Sequence, residues 1–289
     1  MTRFYCIIIA LLIITGNASA FDFGRAEVHC SEDTLKANEI ITLLKTSDGS
    51  KGKKMVIAAE ALKNAVLDDY YKTDSIANLR LNLDSFTPLM FINSVIALQK
   101  ASETPGVASW KNFATELENI ACRRGENTGF PSIMFHGADW IADNVFRGNV
   151  RELTEDYMGG VVVKTKSLDE MTRNRSRYAA LADEDNFEKV RMTEMGFRTH
   201  RVPILKKETI EKKEVTEDLK DGDIILFVPG GDGYDIYDMG IVAIRDDGPH
   251  LIHLSPRSKT VVEEEDNLQR YMKLMTKYFQ GYRLLRLKD

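Results

Sequence analysis

Apolar residues recur at helical spacing through the first half of the chain and give way to short alternating runs in the last third. Ser31 stands where it can cap a helix running towards Leu44, and the polar turn 46–52 ends it. The pattern predicts a second helix over 55–67. A third starts at Pro88 and stops before Thr104-Pro105-Gly106. Ser109 caps a fourth, in which Trp110, Phe113, Leu117 and Ile120 share a face. A fifth, over 138–146, turns Trp140, Ile141 and Val145 to one side.

Gly159-Gly160 then opens a strand over 161–163, and a polar, charged helical stretch follows over 167–195. From Asp221 onward the runs are short and β-like: 224–228, 239–244, 250–254, 260–263 and 282–287, with one helix over 267–279 before the last. Segment 206–213 is rich in charge and reads as a solvated connector. Gly230-Gly231-Asp232-Gly233-Tyr234-Asp235 departs from calcium-loop spacing and reads as a mobile loop at a pocket rim. No internal repeat breaks the chain. The expectation is one domain over 21–289, with a helical half over about 31–158 and a strand-rich half over about 159–289.

Residues 1–20 have the form of a secretory signal: Arg3, an apolar run over 4–15, and the small-residue site Ala18-Ser19-Ala20. The run is too short for a permanent membrane span, so a periplasmic or secreted protein without stable membrane insertion is expected. Loss of Arg3 takes the formal charge from −5 to −6, which argues against nucleic acid as a partner. Cys30 and Cys122 would survive processing, either as a disulfide or as two separate buried thiols. No Cys/His cluster has zinc-ligand spacing, and His29 beside Cys30 is isolated; neither metal nor cofactor is expected.

The candidate chemistry centres on Leu83-Asp84-Ser85-Phe86-Thr87-Pro88-Leu89-Met90-Phe91. A helix N-terminus lowers the pKa of a thiol placed there, because its unpaired N–H groups carry partial positive charge. Here the first helical position holds proline, which fits that position sterically and has no reactive group. Thr87 is then the helix cap.

Two further blocks carry a resemblance: Gly129-Phe130-Pro131-Ser132 with Asp139-Trp140-Ile141 and Asp143-Asn144, and Asp221-Gly222-Asp223-Ile224-Ile225 followed by Tyr237-Asp238-Met239-Gly240-Ile241 and His250 to Ser255. Together with the Pro88 segment, they resemble the N-acetylmuramoyl-L-alanine amidase-like family of the NlpC-type, papain-like cell-wall hydrolases. The resemblance implies an α+β fold, with a helical lobe packed on an antiparallel sheet. It also implies cleavage of the amide between N-acetylmuramic acid and L-alanine by a cysteine thiolate with histidine as base.

Carried over residue by residue, the family pattern puts its cysteine on Pro88, the preceding acid on Thr87, an expected acid on Asn93 and its histidine on Asp238, while His253 remains. The resemblance therefore points to an exported pseudoenzyme. Its groove would be built from Phe86, Thr87, Tyr234, Tyr237, Asp238 and His253, and would bind a peptidoglycan fragment, a stem peptide or a protein partner. Asp238 in place of an imidazole would make the site acidic and disfavour an anionic stem peptide. Two alternatives stand beside this reading. One is an active amidase with substituted chemistry, with Asp238 and His253 paired and the Ser85 and Thr87 hydroxyls close to the proline. The other is a structural protein whose groove is plugged by Met90, Met239 or Tyr237.

Overall fold

The computed structural model describes residues 21–288 apart from 23, 25, 29–30 and 70–77. The proposed signal segment, His29 and Cys30 lie outside the described residues, so the Cys30–Cys122 pairing does too.

Helices α1 (Ser31–Thr46), α2 (Lys51–Ala61), α3 (Pro88–Glu103), α4 (Trp110–Ala121) and α5 (Gly137–Phe146) form the helical layer. In α3 the cap is Thr87, whose Oγ1 accepts from Met90 N at 3.3 Å, and Pro88 sits in the first turn. Ser109 caps α4 through Lys111 N. Ser50 caps α2 through Lys53 N, so that helix starts earlier than its apolar pattern predicts. It also ends earlier: Leu62 closes it and Asn64 takes a φ of 71°, a left-handed turn that asparagine tolerates.

Four short strands lie within the helical half. β1 (Ala26–Val28) and β2 (Val66–Leu67) pair in parallel with β3 (Leu79–Leu81) and β4 (Ser85–Phe86) respectively. Strands this short contain too few alternations to be read from sequence.

The main sheet is antiparallel throughout. It is built from β5 (Val150–Glu152), β6 (Val161–Lys166), β7 (His200–Lys206), β8 (Ile224–Val228), β9 (Asp238–Arg245), β10 (Gly248–Leu254), β11 (Val261–Glu263) and β12 (Gly281–Leu287). Its order is β11-β10-β9-β8-β12-β7-β6, with β5 beside β12. The predicted helical stretch 167–195 is broken. Short turns at Glu170–Arg173, Arg175–Arg177 and Ala179–Ala182 precede a proper helix, α6 (Glu184–Gly196). Strand β7 carries Pro203 and several charges, which hid it from the alternation test.

The sheet has a core on each face. Met239, Ile241 and Ile252 pack towards the helical layer. Val242, Leu251 and Tyr282 pack on the other side, against Tyr271 and Met272 of α7 (Leu268–Met275). Bidentate ion pairs pin strand β12: Arg283 to Glu152 at 2.7 and 2.9 Å, and Arg286 to Asp223 at 2.6 and 2.8 Å. Asp223 also accepts from Lys220 N, and Asp221 accepts from Ile244 N, so the Asp-Gly-Asp block is a clamp on the entry to β8.

Gly222, at φ 82°, meets Gly52 of α2 backbone to backbone; a Cβ on Gly52 would lie 1.9 Å from the Asp221 carbonyl oxygen. That contact locks the helical layer to the sheet, and a methyl group there forces backbone apart. Gly52→Ala is expected to destabilise the protein by about 1–3 kcal/mol, read as a lower urea midpoint. An unchanged midpoint would mean that the two layers are not held at this point.

Candidate functional site

A cleft of about 630 Å³ opens where helix α3 begins. Thr87, Pro88, His136, Tyr178, Tyr234 and Tyr237 line it, and Met90, Met134 and Met171 supply apolar wall. The segment leading into α3 is rigidly built. Asp33 Oδ1 accepts from Leu83 N at 2.8 Å, and Asn82 takes Asp84 N and Ser85 N on its Oδ1 while donating to Ser85 Oγ at 2.7 Å. The Ser85 hydroxyl is thus tied into a turn, and the Thr87 hydroxyl is used as the helix cap. Pro88 itself faces the cleft.

Tyr234 reaches the rim from a loop that is anchored, against the expectation of a mobile one. Gly233 N donates to Ser167 O at 2.8 Å, and Gly233 O accepts from Asp169 N and Glu170 N. The Asp235 carboxylate caps helix α5 from a distance in sequence, accepting from Gly137 N at 2.8 Å and Ala138 N at 2.6 Å. The Lys166 ammonium, buried, donates to the carbonyls of Pro229 and Gly231.

Of the residues expected in the groove, Thr87, Pro88, Tyr234 and Tyr237 line the cleft; Phe86, Asp238 and His253 do not. Phe86 is buried edge-on against Phe91, with ring centroids 5.9 Å apart. Asp238 and His253 are 1% and 0% exposed. Strand alternation explains their position. Met239 and Ile241 point to the helical layer, so Asp238 and Gly240 point to the other face, towards α7. His253 lies opposite Gly240 in the β9–β10 register, and a Cβ on Gly240 would come within 2.9 Å of the His253 Cβ.

There the imidazole is held on both sides. Nδ1 bonds Asp238 Oδ2 at 2.5 Å and Nε2 bonds Glu264 Oε1 at 2.9 Å, while Tyr271 packs edge-on at 5.2 Å. Burial opposes a charge on His253, but the Asp238 and Glu264 carboxylates outweigh it and raise its pKa to about 9. Glu264 is correspondingly held below the usual carboxylate range by His253 and Arg257. With both ring nitrogens donating, this imidazolium has no lone pair to take a proton. The acidity expected from Asp238 is neutralised within the sheet and does not reach the cleft.

The one buried thiol described, Cys122, is 0% exposed, and burial with the Glu118 carboxylate pushes its pKa up to about 12. Trp140 is fully buried and donates to Asn93 Oδ1 at 2.8 Å, joining α5 to α3. Among the described residues no three His, Cys, Asp or Glu side chains gather to hold a metal ion, and no helix is long and apolar enough to cross a membrane.

Sequence reasoning missed His136. It precedes α5, is 5% exposed, lines the cleft, and bonds Glu194 Oε1 through Nε2 at 2.8 Å. Glu194 lies in α6, within the polar, charged stretch 167–195 that carries no motif, so nothing in the spacing signals the pair.

Helices layered on an antiparallel sheet, with a cleft at one helix start, define an α+β fold similar to that of amidases. Two crystal structures of an N-acetylmuramoyl-L-alanine amidase from Bacteroides uniformis superpose with TM-scores of 0.71 and 0.72, at 26% and 25% identity. In both cases 83% of this chain and 100% of the other are covered. A Legionella pneumophila protein at 13% identity shares the fold, with a TM-score of 0.68 over 89% of this chain and 95% of its own. No curated protein matches the sequence. The chain belongs to the AmiA-like, N-acetylmuramoyl-L-alanine amidase-like family, whose model matches residues 61–277.

His253 gives a direct test of the buried charge. Its folded pKa of about 9 stands above the ordinary 6.5, so the stability it contributes is full below 6.5 and is lost as pH rises through 9. NMR titration of His253 should give a midpoint near 9, and the melting temperature should fall across that window. A midpoint at or below 6.5 would mean a neutral ring and a base still available.

Proposed function

We propose that this chain is an exported, catalytically degenerate member of its family, of the NlpC-type papain-like architecture, that binds peptidoglycan fragments in the cleft at the start of α3. The observation that carries this reading is Pro88 lining an open cleft. The position onto which the family resemblance puts a nucleophilic cysteine keeps its helix start and its access to ligand, but has no group to attack with. The rest of the candidate chemistry points the same way. His253 is enclosed by two carboxylates, Cys122 is buried, and the Ser85 and Thr87 hydroxyls are occupied by the turn and the cap. Met90 and Tyr237 form the cleft walls and leave it open, which favours binding over a plugged structural groove.

The family's substrate chemistry suits this space. A stem peptide offers successive amides and carboxylates to a cleft of apolar walls with a few polar groups, the usual composition of a ligand cleft.

Incubation of the mature chain with purified muropeptides, followed by mass spectrometry, tests the reading. The expected result is no free stem peptide, in a sample that an active family member cleaves, together with measurable muropeptide binding by calorimetry. Release of stem peptide would overturn the proposal in favour of an active amidase with substituted chemistry. Absence of binding would remove the peptidoglycan ligand.

A further inference from the structure

Among the described residues that line the cleft, His136 is the one with a buried side-chain polar atom left without a hydrogen-bond partner. Its partner Glu194 is 3% exposed and fully engaged. Oε1 accepts from His136 Nε2 at 2.8 Å and Met171 N at 3.0 Å, while Oε2 accepts from Thr172 N at 3.0 Å and Thr172 Oγ1 at 2.5 Å. Four donors on one carboxylate keep it ionised and fix the imidazole's orientation. The other ring nitrogen, Nδ1, is buried and has no hydrogen-bond partner. Although His136 stands at the N-cap of α5, its side chain does not cap the helix, because Asp235 takes that role from outside.

We propose that His136 is the polar anchor of the cleft, its Nδ1–H donating to an acceptor oxygen, carbonyl or carboxylate, of a peptide-like ligand whose apolar groups lie against Met90, Met134 and Tyr237. The identification of the ligand as peptide-like rests on the function proposed above; the anchor itself rests on the geometry of His136.

The protonation state fits a donor. Burial works against a charge on His136, but the hydrogen bond it donates to Glu194 and the Asp235 and Asp139 carboxylates outweigh it and raise the pKa above the ordinary histidine value. Asp139 is itself paired with Arg123, and on the cleft side Arg177 pairs with Glu170 at 3.8 Å. The surroundings are therefore close to balanced in charge, so what Nδ1 lacks is an oxygen to donate to. A buried donor left without an acceptor is unfavourable, and a ligand oxygen recovers that loss on binding. The same ring also borders a void of about 20 Å³ beside Glu194 and Asp139, room for one water and the rival acceptor.

The test is NMR of the mature chain labelled with ¹⁵N-histidine. The ring nitrogens of His136 are followed while N-acetyl-L-alanine, its N-methylamide and purified muropeptides are added in turn. At least one of the two alanine probes should move the Nδ1 resonance; the acid alone identifies a carboxylate acceptor, the methylamide a carbonyl. His136→Phe should weaken that probe about tenfold or more, the usual cost of losing a charge-assisted hydrogen bond. His136→Gln, which keeps a donor, should recover part of the loss and covers the case in which the phenylalanine variant fails to fold.

An Nδ1 signal unmoved by both alanine probes would overturn the anchor and assign the nitrogen to water in the small void. A folded His136→Phe that binds like the parent would overturn it as well. Movement by the alanine probes without any by muropeptides would uphold the anchor and sink the peptidoglycan reading.

Discussion

Helix α3 has water on almost no side, and the remaining architecture is arranged around that constraint. Every residue over 89–99 is buried, and α1, α2, α4, β9 and β10 all pack against it. At about 25 cal/mol per Å² of apolar surface removed from water, such a helix is a large part of the folding free energy and cannot shift without loss of the core. Its start is fixed as a result. Thr87 and Pro88 stand where a mobile helix could not hold them, and the cleft forms at the point where burial ends. The helix also buries polar side chains, which need partners. Asn93 finds one in the Trp140 indole, and that bond in turn orients α5, which positions His136.

The polar groups near the cleft fall into two kinds. On the sheet face towards α7, the Asp238–His253–Glu264 chain satisfies itself, and Arg257 extends it to the surface at 3.0 Å. Breaking such a buried set by removing one member is costly, because the others remain charged and unpaired. It behaves as part of the sheet's internal structure. On the cleft side, Asp235 takes two backbone donors and Glu194 two backbone and two side-chain donors, while His136 keeps one nitrogen in reserve. A ring held by one bond to a carboxylate that four donors fix, yet unsatisfied at its other nitrogen, is preorganised, since an incoming oxygen meets a donor that loses little further freedom.

Much of this was legible in the chain. Helical spacing and caps gave α1, α3, α4 and α5 nearly to the residue, because Thr87-Pro88 and Ser109 are local signals with local causes. The strands after Asp221 were equally clear, each being long enough to show its alternation. The two-residue strands β2 and β4 were not, and the boundaries of α2 were set by a cap and a left-handed Asn64 rather than by apolar periodicity. Of the residues expected in the groove, Thr87, Pro88 and Tyr237, from the motif segments, and Tyr234, from the glycine-rich loop, line the cleft. Asp238 and His253 were placed in the groove because a motif says which residues matter but not which face of a sheet they take. His136 and Glu194 are 58 residues apart, and only the packing of α6 on the turn before α5 brings them together.

A hydrolase site needs a group that is accessible and chemically incomplete before substrate arrives, and the two requirements can be examined separately. His253 has the right chemistry but is enclosed and fully bonded; Pro88 has the access but no chemistry. His136 lines the cleft and is incomplete at Nδ1: its ring is directed by Glu194, as a catalytic imidazole would be, but with Pro88 at the helix start it has a hydrogen bond to offer and no thiol to activate. Whatever occupies the cleft is therefore selected by the fit of an oxygen to that donor and of apolar groups to the methionine and tyrosine walls. The fold that positions an attacking group in a hydrolase would here position a ligand.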